Sequence, residues 1–270
     1  NGLFVAVSLN DSGGAPNQQV MTSPDGVAWT MQTTPLGQWY AVTYGNGRFV
    51  AVAPNGAQSQ VMTSEDGVTW TARTPAVDDR WVSVTYGGGQ YVAVADSANG
   101  GPGGNKRVMT SPDGITWTAR TAAVMLAWTS VVYGNGLYVA VSLTGVGNRV
   151  MTSPDGITWT SRNTEFTGIK HLVRNAVGHL FANNNLAVFR SVDGGRTWGT
   201  IESTQLSVAD RSIDVGPNGS LYRAGMDGSL SGVLRSSGDN GMTWTTVGFL
   251  PYFGLTRQVT TDSLGYIYGV

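Results

Sequence analysis

Six aspartates recur in nearly the same local sequence, and their spacing is the first feature of this chain to suggest chemistry. Each follows a serine by two residues, precedes a glycine by one or two residues, and leads to a tryptophan. Repeated carboxylates could act in glycoside hydrolysis, which uses two carboxyl groups about 5–10 Å apart. Six equivalent acids cannot all serve one asymmetric site, so we interpret them as structural acceptors of turn amides. The aspartates are Asp25, Asp66, Asp113, Asp155, Asp193 and Asp239, and the tryptophans are Trp29, Trp70, Trp117, Trp159, Trp198 and Trp244.

A second set of aromatic and cationic residues recurs at another point of the same repeat. Trp39, Trp81 and Trp128 lie 42 and 47 residues apart, and the later repeats have arginine or histidine in this neighbourhood. Flat rings could stack on sugars, and arginines could hold a carboxylate, whereas packing between repeats and solvated surface charge are the simpler alternatives. The candidate ligand-binding residues are Arg80, Trp81, Trp128, His171, Arg211 and Arg257.

Other catalytic constellations have little support in the sequence. Glu65 lies inside one of the acidic turns, so a glycosidase pair would have to combine Glu165 or Glu202 with an aspartate: Asp78, Asp79 or Asp210. His171 and His179 have no evident nucleophile partner, and two histidines without cysteine argue against a metal site. We therefore predict no catalytic residues, no metal and no cofactor.

The segments around these residues read as β-hairpins. Tyr-Gly-Asn-Gly between β-branched and aromatic runs predicts a tight hairpin, because Asn-Gly tolerates positive φ at both turn positions. Ser-Pro-Asp-Gly at residues 23–26 suits a type I turn followed by a left-handed glycine. Helical periodicity is missing, so the sequence predicts an all-β protein.

Two hairpins make one repeat, and the repeat has the length of a propeller blade. The six tryptophans that follow the aspartates are 41, 47, 42, 39 and 46 residues apart, which gives four strands per repeat. We predict a single β-propeller domain over residues 1–270, with six blades visible. In a six-bladed ring closed by the C-terminal strand, residues 3–7 and residues 266–270 would compete for the place of the second strand in the same blade. We therefore expect a seven-bladed ring and a longer parent chain.

Composition excludes several classes of function. The chain has 16 Lys and Arg against 17 Asp and Glu, a net charge of -1, and 12% charged residues. Without a basic excess we expect no nucleic-acid partner, and without an apolar run of about 18 residues we expect no membrane insertion. Nine tryptophans and 41% hydrophobic residues are enough to build a core.

The six turns resemble the Asp-box, or BNR, repeat, whose pattern is Ser-x-Asp-x-Gly-x-Thr-Trp. Residues 191–198 and 237–244 match it fully, and the four earlier copies are one residue shorter. The resemblance covers nearly the whole chain and is closest to BNR-like repeats of phage tails and bacterial exported proteins, with sialidases more distant. In that family the turns lie on the face away from the ligand site.

The resemblance leaves two hypotheses of function. The first is a non-enzymatic extracellular, cell-surface or virion propeller, such as a tail fibre, adhesin or assembly component, that binds glycan or protein through variable loops. Other subunits of a larger assembly are further potential partners. The alternative is a sialidase-like glycoside hydrolase, although the Arg-Ile-Pro motif of sialidases is not in this sequence.

Overall fold

A computed structural model describes most of the chain, and every element in it is a β-strand. No helix capable of crossing a membrane occurs in this described part. The described residues are 2–9, 18–55, 59–96, 104–166, 168–184, 187–202, 212–216, 218–226, 232–250, 259–261 and 267–269.

The strands form a ring of small antiparallel sheets, which confirms the predicted β-propeller with six blades visible. Blade 1 contains three strands, β1 (Phe4–Val7), β2 (Val20–Ser23) and β3 (Thr30–Gln32). Blades 2 to 6 contain four strands each, and a final pair follows them. These strands are β4 (Ala41–Gly45), β5 (Arg48–Val52), β6 (Val61–Ser64), β7 (Thr71–Arg73), β8 (Trp81–Gly87), β9 (Gln90–Ala95), β10 (Val108–Ser111), β11 (Thr118–Arg120), β12 (Trp128–Gly134), β13 (Leu137–Ser142), β14 (Val150–Ser153), β15 (Thr160–Arg162), β16 (His171–Arg174), β17 (Leu180–Asn183), β18 (Val188–Ser191), β19 (Gly199–Glu202), β20 (Ser212–Val215), β21 (Leu221–Met226), β22 (Gly232–Ser237), β23 (Thr245–Leu250), β24 (Val259–Thr261) and β25 (Ile267–Gly269).

The first hairpins of blades 2 and 4 close as the sequence predicts. In blade 2, Asn46 and Gly47 have φ angles of 46° and 74°, and Gly45 pairs with Arg48 across the turn. Asn135 and Gly136 repeat this geometry in blade 4, with φ angles of 52° and 75°. Two consecutive left-handed residues twist the turn in the sense of the strands that it joins. The local sequence therefore sets the register of these hairpins.

The core lies between blades rather than within them. Alternate residues of β9 contact opposite neighbours: Tyr91 and Ala93 pack toward blade 2, whereas Val92 and Val94 pack toward blade 4. Successive side chains of a strand point to opposite faces of its sheet, so each blade covers both of its neighbours. The corner tryptophans Trp70, Trp117 and Trp159 are each only 8% exposed. This confirms the predicted stacking, in which the tryptophan and valine rows fill the space between sheets.

The two ends of the chain supply incomplete sheets. Strand β1 pairs with β2, and β24 pairs with β25. Strand β24 also packs against β20 of blade 6. Among the described residues no pairing joins β1 to β25. The expected seventh blade and the longer parent chain stay predictions.

Candidate functional site

The antiparallel order of the blades gives the ring two different faces. The turns between first and second strands and between third and fourth strands open on one face, which we call the turn face. The connections between second and third strands, and from one blade to the next, open on the other, which we call the loop face. Loops on a rigid scaffold are the usual place for binding residues, so the loop face is the expected place for a binding site.

The six aspartates form closed hydrogen-bond networks within their own turns. In the third turn, Asp113 Oδ1 accepts hydrogen bonds from Ser111 Oγ, Ile115 N and Thr116 N at 2.8–2.9 Å. Ser111 Oγ accepts from Gly114 N, and Trp117 Nε1 donates to Gly114 O at 3.0 Å. The other five turns repeat the bonds from serine to aspartate and from tryptophan to glycine. These contacts agree with a structural role for the aspartates.

Hydrogen bonds keep the turn carboxylates ionised. The N–H groups of Thr69 and Val68 lower the pKa of Asp66 to about 2. The Thr243 hydroxyl, followed by the Thr243 N–H, lowers the pKa of Asp239 to about 2. A general acid at neutral pH needs a raised pKa, so neither carboxyl is suited to that role.

The turn face is tied together across blade boundaries. The Tyr91 hydroxyl donates to Gly45 O in the preceding blade, and Tyr138 donates to Gly87 O in the same way. Gln90 donates to Asp155 O, and Arg48 Nη1 donates to Asp113 O at 2.5 Å. The first hairpins of blades 2, 3 and 4 are thus joined to neighbouring blades on this face.

The candidate tryptophans of the other face are enclosed by protein. Trp81 and Trp128 are 0% exposed and belong to the clusters between blades 2 and 3 and between blades 3 and 4. Their Nε1 atoms donate to Val77 O and Val124 O at 3.1 Å. Neither indole offers a face to a sugar, and both have the environment of the packing alternative. The recurrence of these tryptophans at the same position of the repeat is the sequence signal that favours packing between blades.

The four charged candidates lie in different blades or outside the described residues. Arg80 is exposed and its Nε pairs with Asp96 Oδ1 at 3.0 Å. His171 is half-buried at the start of β16, opposite Asn183 of β17. Arg80 and His171 belong to blades 3 and 5, with blade 4 between them. Arg211 and Arg257 lie outside the described residues.

Three polar residues that join blades on the loop face were missed in the sequence. Gln60 Nε2 donates to Asp79 O at 2.7 Å, Arg107 Nη1 donates to Leu126 O at 3.3 Å, and Arg149 Nη1 donates to Phe166 O. Each side chain extends from the start of a third strand to the connection that leads into the next blade. Their shared position, directly before Val-Met-Thr-Ser, was the signal available in the sequence.

Several unpaired buried polar atoms lie on the loop face of blades 4 and 5. Asn148 Oδ1, Arg149 Nε, Thr164 Oγ1 and both amide atoms of Asn183 are buried without a hydrogen-bond partner. Thr164 N donates to Gly147 O at 2.8 Å, which joins two of the loops concerned. Buried polar atoms are nearly always satisfied by protein, water or ligand. Because these atoms have no exposed surface, they are places for ordered water inside the loops rather than contacts for a ligand.

Exposed apolar side chains lie beside these polar atoms. Met125, Leu143 and Val146 are 56%, 45% and 90% exposed. Leu143 N donates to Ala127 O at 3.0 Å, which brings the loop of Leu143 against the loop of Met125. We call Met125, Leu143 and Val146 the blade-4 site.

Asp79 is the one loop-face carboxyl with a perturbed pKa among the described residues. Burial raises its pKa above the usual value, against the opposing effects of the Arg80 N–H and the Arg107 charge. Its Oδ1 accepts from Arg80 N at 2.8 Å, while Oδ2 is buried without a partner. No group of three or more metal-ligating side chains occurs within the described ranges.

Comparison with solved structures defines the class of protein. The chain is similar to a virginiamycin B lyase from Staphylococcus aureus, with 11% identity, a TM-score of 0.76, and coverage of 99% of this chain and 95% of the other. A 6-phosphogluconolactonase-like protein from Bacteroides fragilis has 14% identity and a TM-score of 0.71, with coverage of 99% of this chain and 87% of the other. YCF48 from Cyanidioschyzon merolae has 14% identity and a TM-score of 0.55, with coverage of 86% of this chain and 92% of the other. At these identities the likeness concerns the fold alone.

The chain is therefore a β-propeller with four-stranded blades. No family model matches it, and no curated protein matches it. The resemblance to the Asp-box family is not confirmed by these comparisons.

Proposed function

We propose that this chain is a non-enzymatic propeller of a cell or virion surface, such as a tail fibre or adhesin component, that binds a glycan through its loop face. The observation that supports this best is the blade-4 site, where three apolar side chains are exposed on loops of the loop face. Sugars have apolar C–H faces that could pack against such side chains.

The chemistry of the blade-4 site favours a sugar over a charged small molecule. Its exposed side chains, Met125, Leu143 and Val146, are apolar and carry no charge. They suit the C–H face of a sugar ring and would give an ionic ligand no counter-charge. The resemblance of the turns to exported and phage-tail repeats supports a location outside the cell.

The alternative, a sialidase-like glycoside hydrolase, has less support. Glu165 is exposed in the connection between blades 4 and 5, whereas Asp78 and Asp79 lie in the connection between blades 2 and 3. Two whole blades separate the connections, and the reaction needs carboxyl groups about 5–10 Å apart. The Glu202 side chain and Asp210 lie outside the described residues. The similar structures named as a lyase and a lactonase share only the fold with this chain, and no catalytic site is transferred from them.

Glycan binding is tested with the purified chain on an array of neutral and acidic oligosaccharides, followed by calorimetry with each hit. We expect Leu143→Asn and Val146→Asn to weaken binding by about tenfold each, since each loses apolar contact of roughly 1–1.5 kcal/mol. Thr158→Val is the matched control, because Thr158 is exposed in an acidic turn. Absence of any hit would contradict the proposal.

Turnover is measured on the same chain. Hydrolysis of a fluorogenic sialoside or of an array hit, lost in Glu165→Gln or Glu202→Gln, would replace the binding proposal with the glycosidase alternative.

A further inference from the structure

Blade 5 has cationic side chains at the turn face where blades 2 to 4 have neutral ones. Arg174 ends β16, at the place in the sheet where those blades have a tyrosine. Arg190 lies in β18, where those blades have a threonine. The tyrosines are Tyr44, Tyr86 and Tyr133, and the threonines are Thr63, Thr110 and Thr152. Because the repeat folds without a cation at either position, the propeller fold does not explain these two arginines.

A network of hydrogen bonds joins these cations at the boundary between blades 5 and 6. Asn175 is only 4% exposed; its Oδ1 accepts from His179 N at 2.9 Å, and its Nδ2 donates to Asn240 Oδ1 at 3.1 Å. Arg190 Nη1 donates to Asn240 O at 3.5 Å. Arg174 directly precedes Asn175 in the chain. The buried asparagine therefore connects the hairpin that carries Arg174 and His179 to the turn that Arg190 contacts.

The cations of this group have donors that reach solvent. Arg174, His179 and Arg190 are each half-buried. Arg174 Nε and His179 Nδ1 are enclosed, whereas Arg174 Nη1, Arg190 Nη2 and His179 Nε2 are neither enclosed nor hydrogen-bonded to a described residue. None of the three side chains forms an ion pair with a described carboxylate. Guanidinium nitrogens can only donate hydrogen bonds, so these side chains lack acceptors rather than donors.

The acidic turns of blades 5 and 6 do not supply the missing acceptors. Both oxygens of Asp193 accept hydrogen bonds inside their own turn, including two from Thr197 at 2.9 and 2.6 Å. Both oxygens of Asp239 are used in the same way, with two bonds from Thr243 at 2.9 and 2.6 Å. The carboxylates nearest in sequence are therefore occupied within their turns.

We propose that Arg174, His179 and Arg190 bind an oxyanion, a phosphate or carboxylate group, on the turn face between blades 5 and 6. The two guanidinium groups would donate charge-assisted hydrogen bonds, which are stronger than bonds between neutral groups. An oxyanion accepts several such bonds at once and carries the charge that these three residues lack. The site is on the opposite side of the ring from the blade-4 site and does not depend on glycan binding there.

The test is a titration of the labelled chain with sodium phosphate and, separately, with sodium acetate, followed by NMR at constant ionic strength. We expect amide shifts centred on Asn175, Gly178, His179 and Asn240 with at least one of the two anions. The anion that binds more tightly identifies the group that the site prefers. Sodium chloride at the same ionic strength should not produce these shifts, because it screens exposed charge without offering an oxygen acceptor.

Variants taken from the repeat itself remove the cations. Arg174→Tyr and Arg190→Thr place in blade 5 the residue types of blades 2 to 4, so both chains should fold, which thermal unfolding checks. Each should weaken anion binding by about tenfold, since each loses a charge-assisted hydrogen bond. Arg162→Gln is the matched control, because it removes the same charge from a side chain that donates to Thr152 Oγ1 within blade 4. Its anion affinity should be unchanged.

Three results would overturn the proposal. They are the same shifts with chloride as with phosphate and acetate, wild-type anion affinity in both Arg174→Tyr and Arg190→Thr, and an equal loss of affinity in Arg162→Gln. Loss of glycan binding in the Leu143→Asn or Val146→Asn variant, with anion binding retained, would concern the blade-4 site alone.

Discussion

The turn face and the loop face of this propeller treat their polar groups in opposite ways. On the turn face each aspartate accepts bonds from its own serine and turn amides, as Asp155 does from Ser153, Ile157 and Thr158. On the loop face Asn183 is fully buried and neither of its amide atoms has a partner. A repeated turn closes its hydrogen bonds within a few residues, whereas a loop of variable length depends on whatever lies across from it.

The same contrast appears in the pKa values of the carboxyls. Turn amides lower the pKa of Asp66, whereas burial raises the pKa of Asp79. One carboxylate is stabilised by local donors, and the other loses hydration without full compensation. Repetition therefore favours local closure and stability, and the unsatisfied polar groups are found where the repeats diverge.

The largest effect is expected from removing a tryptophan at the loop end of a blade. Trp128→Ala should lower the free energy of unfolding by about 4 kcal/mol, because a buried aromatic side chain is lost and a cavity is left. Chemical denaturation measures this, with the exposed Met125→Ala as control. A loss below about 1 kcal/mol, accompanied by lost glycan binding, would assign Trp128 to the ligand after all.

A smaller but still large effect is expected at the hairpin contact of the turn face. A Cβ at Gly87 would lie 2.0 Å from Tyr133 Cδ1 in the next blade. Gly87→Ala should therefore cost about 3 kcal/mol through displacement of the tyrosine ring. Gly199→Ala, with nothing within 4 Å of the added Cβ, is the matched control in thermal unfolding. Equal melting temperatures of the two variants would show that blades do not interlock at this point.

A moderate loss is expected when one acidic turn loses its acceptor. Asp113→Ala removes the acceptor of Ser111 Oγ, Ile115 N and Thr116 N and should cost about 1 kcal/mol, as loss of a helix cap does. Glycan affinity should not change, because the turn lies on the other face. Calorimetry and denaturation of the same preparation measure both quantities, and a changed affinity with unchanged stability would contradict a purely structural role.

The smallest expected effect is on the pH dependence of stability, and its sign differs between the faces. The folded pKa of Asp66 is lowered to about 2, so its contribution is present above about pH 4 and is lost as pH falls toward 2. The folded pKa of Asp79 is raised, so the folded state binds a proton more readily and its contribution improves as pH falls through that pKa.

Asp66→Asn and Asp79→Asn test these signs by denaturation at a series of pH values. Asp66→Asn should reduce the loss of stability in acid, whereas Asp79→Asn should raise stability at neutral pH. If the slope of the unfolding free energy against pH changes in the same direction in both variants, the proposed electrostatic difference between the two faces is wrong.

The sequence by itself determined the features that depend on a few neighbouring residues. Asn46-Gly47 fixes its hairpin because both positions require positive φ, and the acidic turns form because serine, aspartate and glycine satisfy one another locally. The spacing of the tryptophans then determined four strands per blade and the propeller fold.

Only the tertiary structure decided which of the recurring side chains contact protein and which contact solvent. It buried Trp81 and Trp128 between blades, directed Gln60, Arg107 and Arg149 to backbone oxygens of the next connection, and left Thr164 and Asn183 with unpaired atoms. The partners in these cases come from separate loops whose lengths differ from blade to blade. Their meeting depends on how whole blades stack, which no local sequence pattern encodes.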